Sequence, residues 1–158
     1  MSPQRKAREG ENIIATNRAA YHNYFVVETI EAGMELRGTE IKSLRDGGAN
    51  LREGFIRING GEAWLVNVHI SPYEQGNVNN HDPRRERKLL LHRAEIIAMG
   101  TKIKQKGLTL VPLRMYWKRN HAKLEIGLVK GKRLYDKREA IAARDARREI
   151  DRAVKTRA

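Results

Sequence analysis

The chain has 158 residues and a net charge of +13, because 32 Lys and Arg residues stand against 19 Asp and Glu residues. It contains no Cys, which excludes disulfides, thiolate metal sites and a cysteine nucleophile. No apolar run approaches the roughly 18 residues of a membrane-spanning helix. The polar, basic N-terminus is unlike a secretory signal. We therefore expect an intracellular, cytoplasmic protein with a polyanionic partner, nucleic acid before membrane.

Composition divides the chain into three parts. Residues 1–11 are polar and basic and predict a short flexible arm. Residues 12–129 carry alternating apolar patterns and predict the folded body. Residues 130–158 hold 11 basic and 5 acidic residues, with Ala142, Ala146 and Ile150 on one helical face. This tail buries little and should become helical when a partner neutralises its basic face.

Alternating apolar residues predict five or six strands in the body. They lie, in chain order, at residues 25–36, 55–58, 64–70, 111–117 and 124–128. Asn59-Gly60-Gly61 predicts a hairpin turn between the second and third of these strands. Residues 118–122 join the last two strands as a second hairpin. Pro112 cannot donate to a ladder, so it marks an edge or a bulge.

Three helices are predicted at residues 17–22, 39–45 and 93–105. The first has Thr16 or Asn17 as its N-cap, and Gly107 ends the third. Short strands, hairpins and few helices predict a mainly β fold. The best match is an OB-like antiparallel β-barrel with about three short helices and a basic C-terminal tail. A mixed α+β fold without closure is the alternative.

Motifs for catalysis are missing from the sequence. The five His residues are scattered, and no HExxH, GxSxG or P-loop pattern occurs. The acidic residues do not cluster as a two-metal nuclease requires. Nothing in the sequence therefore supports an enzyme, a metal site or a cofactor.

The strongest signal for nucleic-acid binding is a basic segment at residues 81–88. Its basic residues are Arg84, Arg85, Arg87 and Lys88. Such side chains reach phosphates, and Arg also stacks on bases, although an ordinary basic surface loop has the same composition. The run of Leu89, Leu90 and Leu91 should anchor this segment to the core. Candidate stacking rings are Tyr21, Tyr24 and Tyr116, for which packing is an equal expectation.

Four segments in register resemble the SsrA-binding protein family, also called small protein B (SmpB). They read NRAAYHNYF from residue 17, GTEIKSLR from 38, HDPRRERKLLLH from 81 and KGKRLYDKR from 130. The resemblance implies an OB-like barrel without enzymatic activity. It also implies binding to the tRNA-like domain of transfer-messenger RNA (tmRNA) and its delivery to stalled ribosomes in trans-translation. Elongation factor Tu with alanyl-tmRNA is a further implied partner.

The resemblance also implies which residues act. Glu31, Leu90 and His92 match positions where the family supports tmRNA binding, although the family often has Asn in place of His92. The tail is expected to enter the decoding centre of the small subunit and the empty messenger channel. There Tyr135 would stack on a ribosomal base. The tail residues carried over are Gly131, Lys132, Arg133, Tyr135, Asp136, Lys137 and Arg138, followed by the basic Arg144 and Arg148.

Two other classes compete with this interpretation. A generic OB-type RNA chaperone or ribosome-associated protein would bind unstructured RNA as well as tRNA-shaped RNA. An RNA-processing enzyme would need a metal or base site and would turn over RNA without other proteins. Preference for the tRNA-like domain separates the first class from the family, and RNA turnover separates the second.

Overall fold

The computed structural model describes residues 11–73 and 80–132. The strands are β1 (Glu11–Thr16), β2 (Tyr24–Met34), β3 (Ala49–Asn50), β4 (Phe55–Asn59), β5 (Glu62–Val66), β6 (His69–Ile70), β7 (Arg87–Leu90), β8 (Thr109–Lys118) and β9 (His121–Gly131). The helices are α1 (Arg18–Asn23), α2 (Gly38–Arg45) and α3 (Arg93–Lys106). Each helix lies within one or two residues of its prediction, and Asn17 is the N-cap of α1.

Seven of these strands form one antiparallel sheet. Their order is β1-β8-β9-β2-β7-β5-β4, and β3 pairs with β6 separately. The mainly antiparallel β fold with three helices is confirmed, but the closed OB-like barrel is not. In the described ranges β1 and β4 end the sheet and do not pair with each other. Because β4 contacts β8 instead, the sheet curls around its core without hydrogen-bonded closure.

The core follows from the alternation in the long strands. Leu124, Ile126 and Leu128 of β9 are buried on one face of the sheet, where α3 adds Ile96 and Met99. A smaller cluster on β8, β9 and α1 comprises Ala20, Val111, Leu113 and Val129. The β8–β9 hairpin is therefore buried on both faces at this end.

Both predicted hairpins are confirmed, and residues with positive φ close them. Gly60 and Gly61 have φ of 60° and 77°, a region that glycine adopts without steric cost. Arg119 and Asn120, with φ of 49° and 64°, close the β8–β9 hairpin. The predicted irregularity at Pro112 is also confirmed, because the register with β9 shifts between Pro112 and Arg114.

The structure corrects the sequence-based expectations at three places. The strand predicted for residues 64–70 breaks at Asn67, whose φ is 59°, so β5 and β6 join different sheets. β1, β3 and β7 were not predicted, and the described residues form nine strands where five or six were expected. The expected tail boundary at residue 130 falls within β9. That strand runs to Gly131, and the Lys132 amide then donates to the Asn23 carbonyl at 2.9 Å.

Candidate RNA-binding surface

An open groove of about 750 Å³ lies where β2, β7 and β9 meet the start of α3. Antiparallel pairing of Gly33 with Leu90 brings β2 beside β7. Four of the predicted site residues, Glu31, Lys88, Leu90 and His92, line this groove although they come from separate segments. We call it the Leu90 groove.

Small residues leave space for Leu90 at the centre of the groove. Its side chain is 55 % exposed, which contradicts the expectation that Leu89, Leu90 and Leu91 all anchor the segment; Leu89 is buried instead. A Cβ on Gly33 would lie 3.2 Å from the Leu90 Cβ, so glycine provides the room. The β4–β5 turn forms part of the wall through Gly60 and Gly61, which present backbone without side chains. The groove thus offers an apolar centre that a planar or sugar group can approach closely.

Glu31 provides a charged acceptor in the same groove. It accepts a hydrogen bond from the Tyr116 hydroxyl, and the Lys118 Nζ lies 3.3 Å from its Oε2. Partial burial acts to raise the pKa of Glu31, but these two hydrogen bonds and the charges of Lys118 and Lys123 outweigh it. The pKa of Glu31 is therefore held below its ordinary value of 4.5, and the side chain is a carboxylate at neutral pH.

His92 lies at the junction of β7 and α3. It is the N-cap residue of α3, and its backbone N–H donates to the Glu95 carboxylate at 3.1 Å. This contact fixes the backbone at the helix start and leaves the ring exposed in the groove. His92 can therefore offer a ring N–H to a ligand in the groove, in the way that an Asn amide could.

The Leu90 groove is close to electrically neutral despite the charge of the whole chain. Its charged lining residues are Lys88, Arg93 and Lys123 against Glu31, Glu62 and Glu95. Lys88 and Glu62 pair at 3.3 Å. Neutralisation of phosphates is therefore not the main chemistry of this groove. Polar groups of this kind are suited to hydrogen bonds with base edges and ribose hydroxyls.

Arg87 does not serve as the phosphate contact that the sequence suggested. Its side chain is fully buried, and its Nε donates to Glu40 at 2.6 Å. Its other nitrogens donate to the Val68 and Pro83 carbonyls. Burial lowers the pKa of Arg87, and the Glu40 carboxylate acts against this fall. The alternation of β7 explains the difference, because it turns Arg87 and Leu89 inward and Lys88 and Leu90 outward.

The remaining arginines of the basic segment lie on the surface beside α2 and β6. Arg85 binds Glu40 and is partly covered. Arg84 is exposed and donates to the Asn67 side chain at 2.7 Å. Of the four basic residues predicted here, Lys88 lines the groove, and Arg84 is the arginine most open to solvent.

His81, in the same segment, has a structural role. It is buried, with Nε2 at 2.9 Å from the Ile70 carbonyl and Nδ1 at 2.9 Å from the Thr39 hydroxyl.

The tail residues are described only at their start. Gly131 ends β9 opposite Tyr24. The Lys132 Nζ lies 4.9 Å from the centre of the Phe25 ring. The predicted residues Arg133, Tyr135, Asp136, Lys137, Arg138, Arg144 and Arg148 lie outside the described residues.

Sequence reasoning gave no role at Glu31 to three residues that act on this carboxylate. Tyr116 was expected to stack or to pack; it is buried and donates to Glu31. Lys118 and Lys123 were not singled out, yet both act on the Glu31 carboxylate. Alternation places Tyr116 and Lys118 on one face of β8, and this signal was available. Their proximity to Glu31 depends on the β8–β9–β2 order, which local patterns do not reveal.

Other kinds of site receive no support from the part of the chain that the structure describes. Within it, no three His, Asp or Glu side chains lie close enough to hold a metal ion. None of its helices has both the length and the apolar character needed to cross a membrane. A strongly basic chain with a polar groove on an antiparallel sheet is typical of an RNA-binding protein.

Comparisons with known proteins agree with this class. A family model described as "SmpB protein" matches residues 14–156. SsrA-binding proteins from Carboxydothermus hydrogenoformans and Desulforudis audaxviator are 59 % and 57 % identical, over 93 % and 96 % of this chain and 99 % of each relative. A solved structure described as "tmRNA-SmpB: a journey to the center of the bacterial ribosome" is 49 % identical, with a TM-score of 0.65. The match covers 80 % of this chain and 93 % of the solved chain. The chain belongs to the SmpB family of SsrA-binding proteins.

Proposed function

We propose that the protein binds the tRNA-like domain of tmRNA and delivers it to stalled ribosomes for trans-translation. The observation that carries this proposal is the Leu90 groove, which gathers Glu31, Leu90 and His92 at one place. The family resemblance links these three positions to tmRNA. Similarity to a solved structure described as tmRNA-SmpB on the bacterial ribosome supports the same RNA and the same ribosomal context.

The chemistry of the groove supports recognition of a folded RNA over simple attraction to charge. Glu31 is an acceptor only, so it needs an N–H or O–H donor from a base edge or a ribose 2′-hydroxyl. Leu90 offers an apolar contact, and His92 offers a donor beside it. A near-neutral groove that requires these groups together should favour RNA that presents them in a fixed arrangement.

Further properties of the body, the tail and the partners follow from the family resemblance. The curled sheet acts as an OB-like body without a catalytic role. The tail from Gly131 onward probes the decoding centre and the empty messenger channel, with Tyr135 stacking on a ribosomal base. Elongation factor Tu with alanyl-tmRNA is a partner in delivery, and the protein works in the cytoplasm. The basic composition of the tail supports its proposed contact with ribosomal RNA at the decoding centre.

The test is binding to the isolated tRNA-like domain, compared with an elongator tRNA and with a single strand of matched length. Each RNA is titrated at two salt concentrations, because unspecific phosphate contacts weaken steeply with salt. We expect a preference for the tRNA-like domain that persists at the higher salt. Equal affinities that fall together would contradict the proposal and favour a generic RNA chaperone.

Two matched variants locate the contact. Leu90→Ala removes an apolar contact from the groove, and burial of such a side chain is worth about 1.5–3 kcal/mol. We expect its affinity for the tRNA-like domain to fall roughly tenfold. Ile97→Ala is the control, because Ile97 is 58 % exposed and Leu90 is 55 % exposed. A similar loss in both variants would place the contact outside the groove.

A further inference from the structure

An exposed aromatic ring lies at the end of β2 remote from the Leu90 groove. Phe25 is the second residue of β2 and is 43 % exposed. It precedes Glu31 by six positions, which corresponds to about 20 Å along a strand. Its Cα partner on β9 is Lys130, whereas that of Glu31 is Glu125. Lys130 and Glu125 are an odd number of residues apart on β9, so Phe25 and Glu31 occupy opposite faces of the sheet.

Two lysines accompany this ring on the same face. Lys130 lies directly opposite Phe25 in the ladder and is exposed. Lys132 follows two residues later, with its Nζ 4.9 Å from the ring centre. The nearby carboxylate of Glu28 is already paired with Lys102 of α3. The surface around Phe25 therefore combines an accessible ring with a local excess of positive charge.

This combination matches the chemistry of single-stranded nucleic acid. Proteins bind such strands by stacking bases on exposed aromatic rings while cationic side chains follow the phosphates. We propose that Phe25, Lys130 and Lys132, the Phe25 platform, bind an unpaired nucleobase of single-stranded RNA. The base stacks on the Phe25 ring. The Lys132 ammonium group moves from the ring to a neighbouring phosphate, and Lys130 contacts the backbone beside it.

The position of the platform favours RNA as its occupant. Residues 133–158 follow Lys132 directly and carry nine basic against five acidic residues. An RNA strand attracted by these residues would reach the Phe25 platform, which directly precedes them in the chain at Lys132. Since the Leu90 groove lies at the other end of β2 and on the other face, the protein would contact two separate RNA segments.

The composition of the chain allows a direct test. It contains two Phe residues, Phe25 and Phe55, and each is 43 % exposed. Labelling the Phe rings of the full chain with carbon-13 therefore gives signals from the platform and from a matched control. We expect an oligoadenylate of about eight nucleotides to shift the Phe25 ring signals by the ring current of a stacked base, while Phe55 changes little. An abasic strand of the same length and charge should not produce this shift.

Substitutions add a second measurement. Phe25→Leu keeps the apolar character but removes the stacking surface, so we expect roughly tenfold weaker binding of the oligoadenylate. Phe25→Leu should not change binding of the abasic strand. Phe25→Tyr should retain the wild-type affinity for the oligoadenylate. Phe55→Leu should change the affinity for neither strand. Unmoved Phe25 signals at RNA saturation, or equal shifts with the abasic strand, would overturn the proposal. Affinity for the tRNA-like domain, measured on the same variants, reports the Leu90 groove separately.

Discussion

Glu40 holds two guanidinium groups together beneath the basic segment. It is buried, and it accepts from the Arg87 Nε at 2.6 Å, from the Arg37 amide at 2.9 Å and from Arg85. Glu40→Gln would leave the fully buried Arg87 without a charged partner. Breaking a buried ion pair in this way costs about 3–5 kcal/mol. We expect the free energy of unfolding at neutral pH, measured by urea denaturation, to fall by about this amount.

The control for this change is Glu53→Gln. Glu53 is largely exposed and lies 3.9 Å from Arg84, so its loss should change stability by less than about 0.5 kcal/mol.

Burial acts to raise the pKa of Glu40, but Arg85, the Arg37 amide and Arg87 hold it below 4.5. The stability from Glu40 is thus present above pH 4.5 and is lost as pH falls through the lower folded value. A stability difference between wild type and Glu40→Gln that does not shrink on acidification would contradict this assignment.

We expect Tyr116 to position the Glu31 carboxylate in the Leu90 groove. Its ring is buried against the Arg114 guanidinium, at 4.8 Å, and its hydroxyl donates to Glu31. Tyr116→Phe keeps the ring and removes the donor, so we expect the pKa of Glu31 to rise. An NMR titration of the Glu31 carboxyl group measures this shift. As the pH is lowered, the variant should lose affinity for the tRNA-like domain at a higher pH than wild type does. An unchanged pH profile of binding would assign Tyr116 to packing alone.

At the scale of secondary-structure elements, the last residues of β9 are part of the folded body. Lys130 and Gly131 pair with Phe25 and Tyr24, and the Lys132 amide donates to Asn23. Truncation after Lys132 should therefore retain the melting temperature of the body. Truncation after Val129 removes these pairs from the β2–β9 ladder and should lower that temperature by several degrees, which circular dichroism can follow. Equal melting temperatures would show that these pairs contribute little.

Elements whose signals are local could be predicted from the sequence. The helix α3 has its apolar spacing and its Gly107 stop within 15 residues, and both hairpins have their turn residues between their strands. β7 was missed because half of its residues are basic, and the partner of the buried Arg87, Glu40, is 47 positions away. Nothing in the local pattern distinguishes an arginine with a buried partner from an exposed one.

The candidate site shows the same limit. The family resemblance predicted Glu31, Leu90 and His92 as three separate positions. Their convergence depends on the pairing of β2 with β7, which are more than 50 residues apart.

At the scale of the whole molecule, we expect one part of the chain to supply the charge that attracts RNA and another part to discriminate between RNAs. Residues 133–158 contribute nine basic and five acidic residues, whereas the lining of the Leu90 groove is balanced. We expect truncation after Lys132 to reduce the salt dependence of RNA binding, because fewer counterions are released. The affinity ratio between the tRNA-like domain and an elongator tRNA should persist. Fluorescence anisotropy at several salt concentrations measures both, and a lost ratio would assign discrimination to the tail.

The place where the tail leaves the sheet also has a mechanical consequence. The tail continues from β9, an inner strand hydrogen-bonded to β8 on one side and to β2 on the other. A tension applied at residue 132 runs along β9, and antiparallel hydrogen bonds lie perpendicular to that direction. The force is then shared as shear across two ladders, whereas a tail attached to β1 or β4 could be peeled away one bond at a time. We therefore expect the folded body to resist a force applied at residue 132 better than the same force applied to an end strand of the sheet.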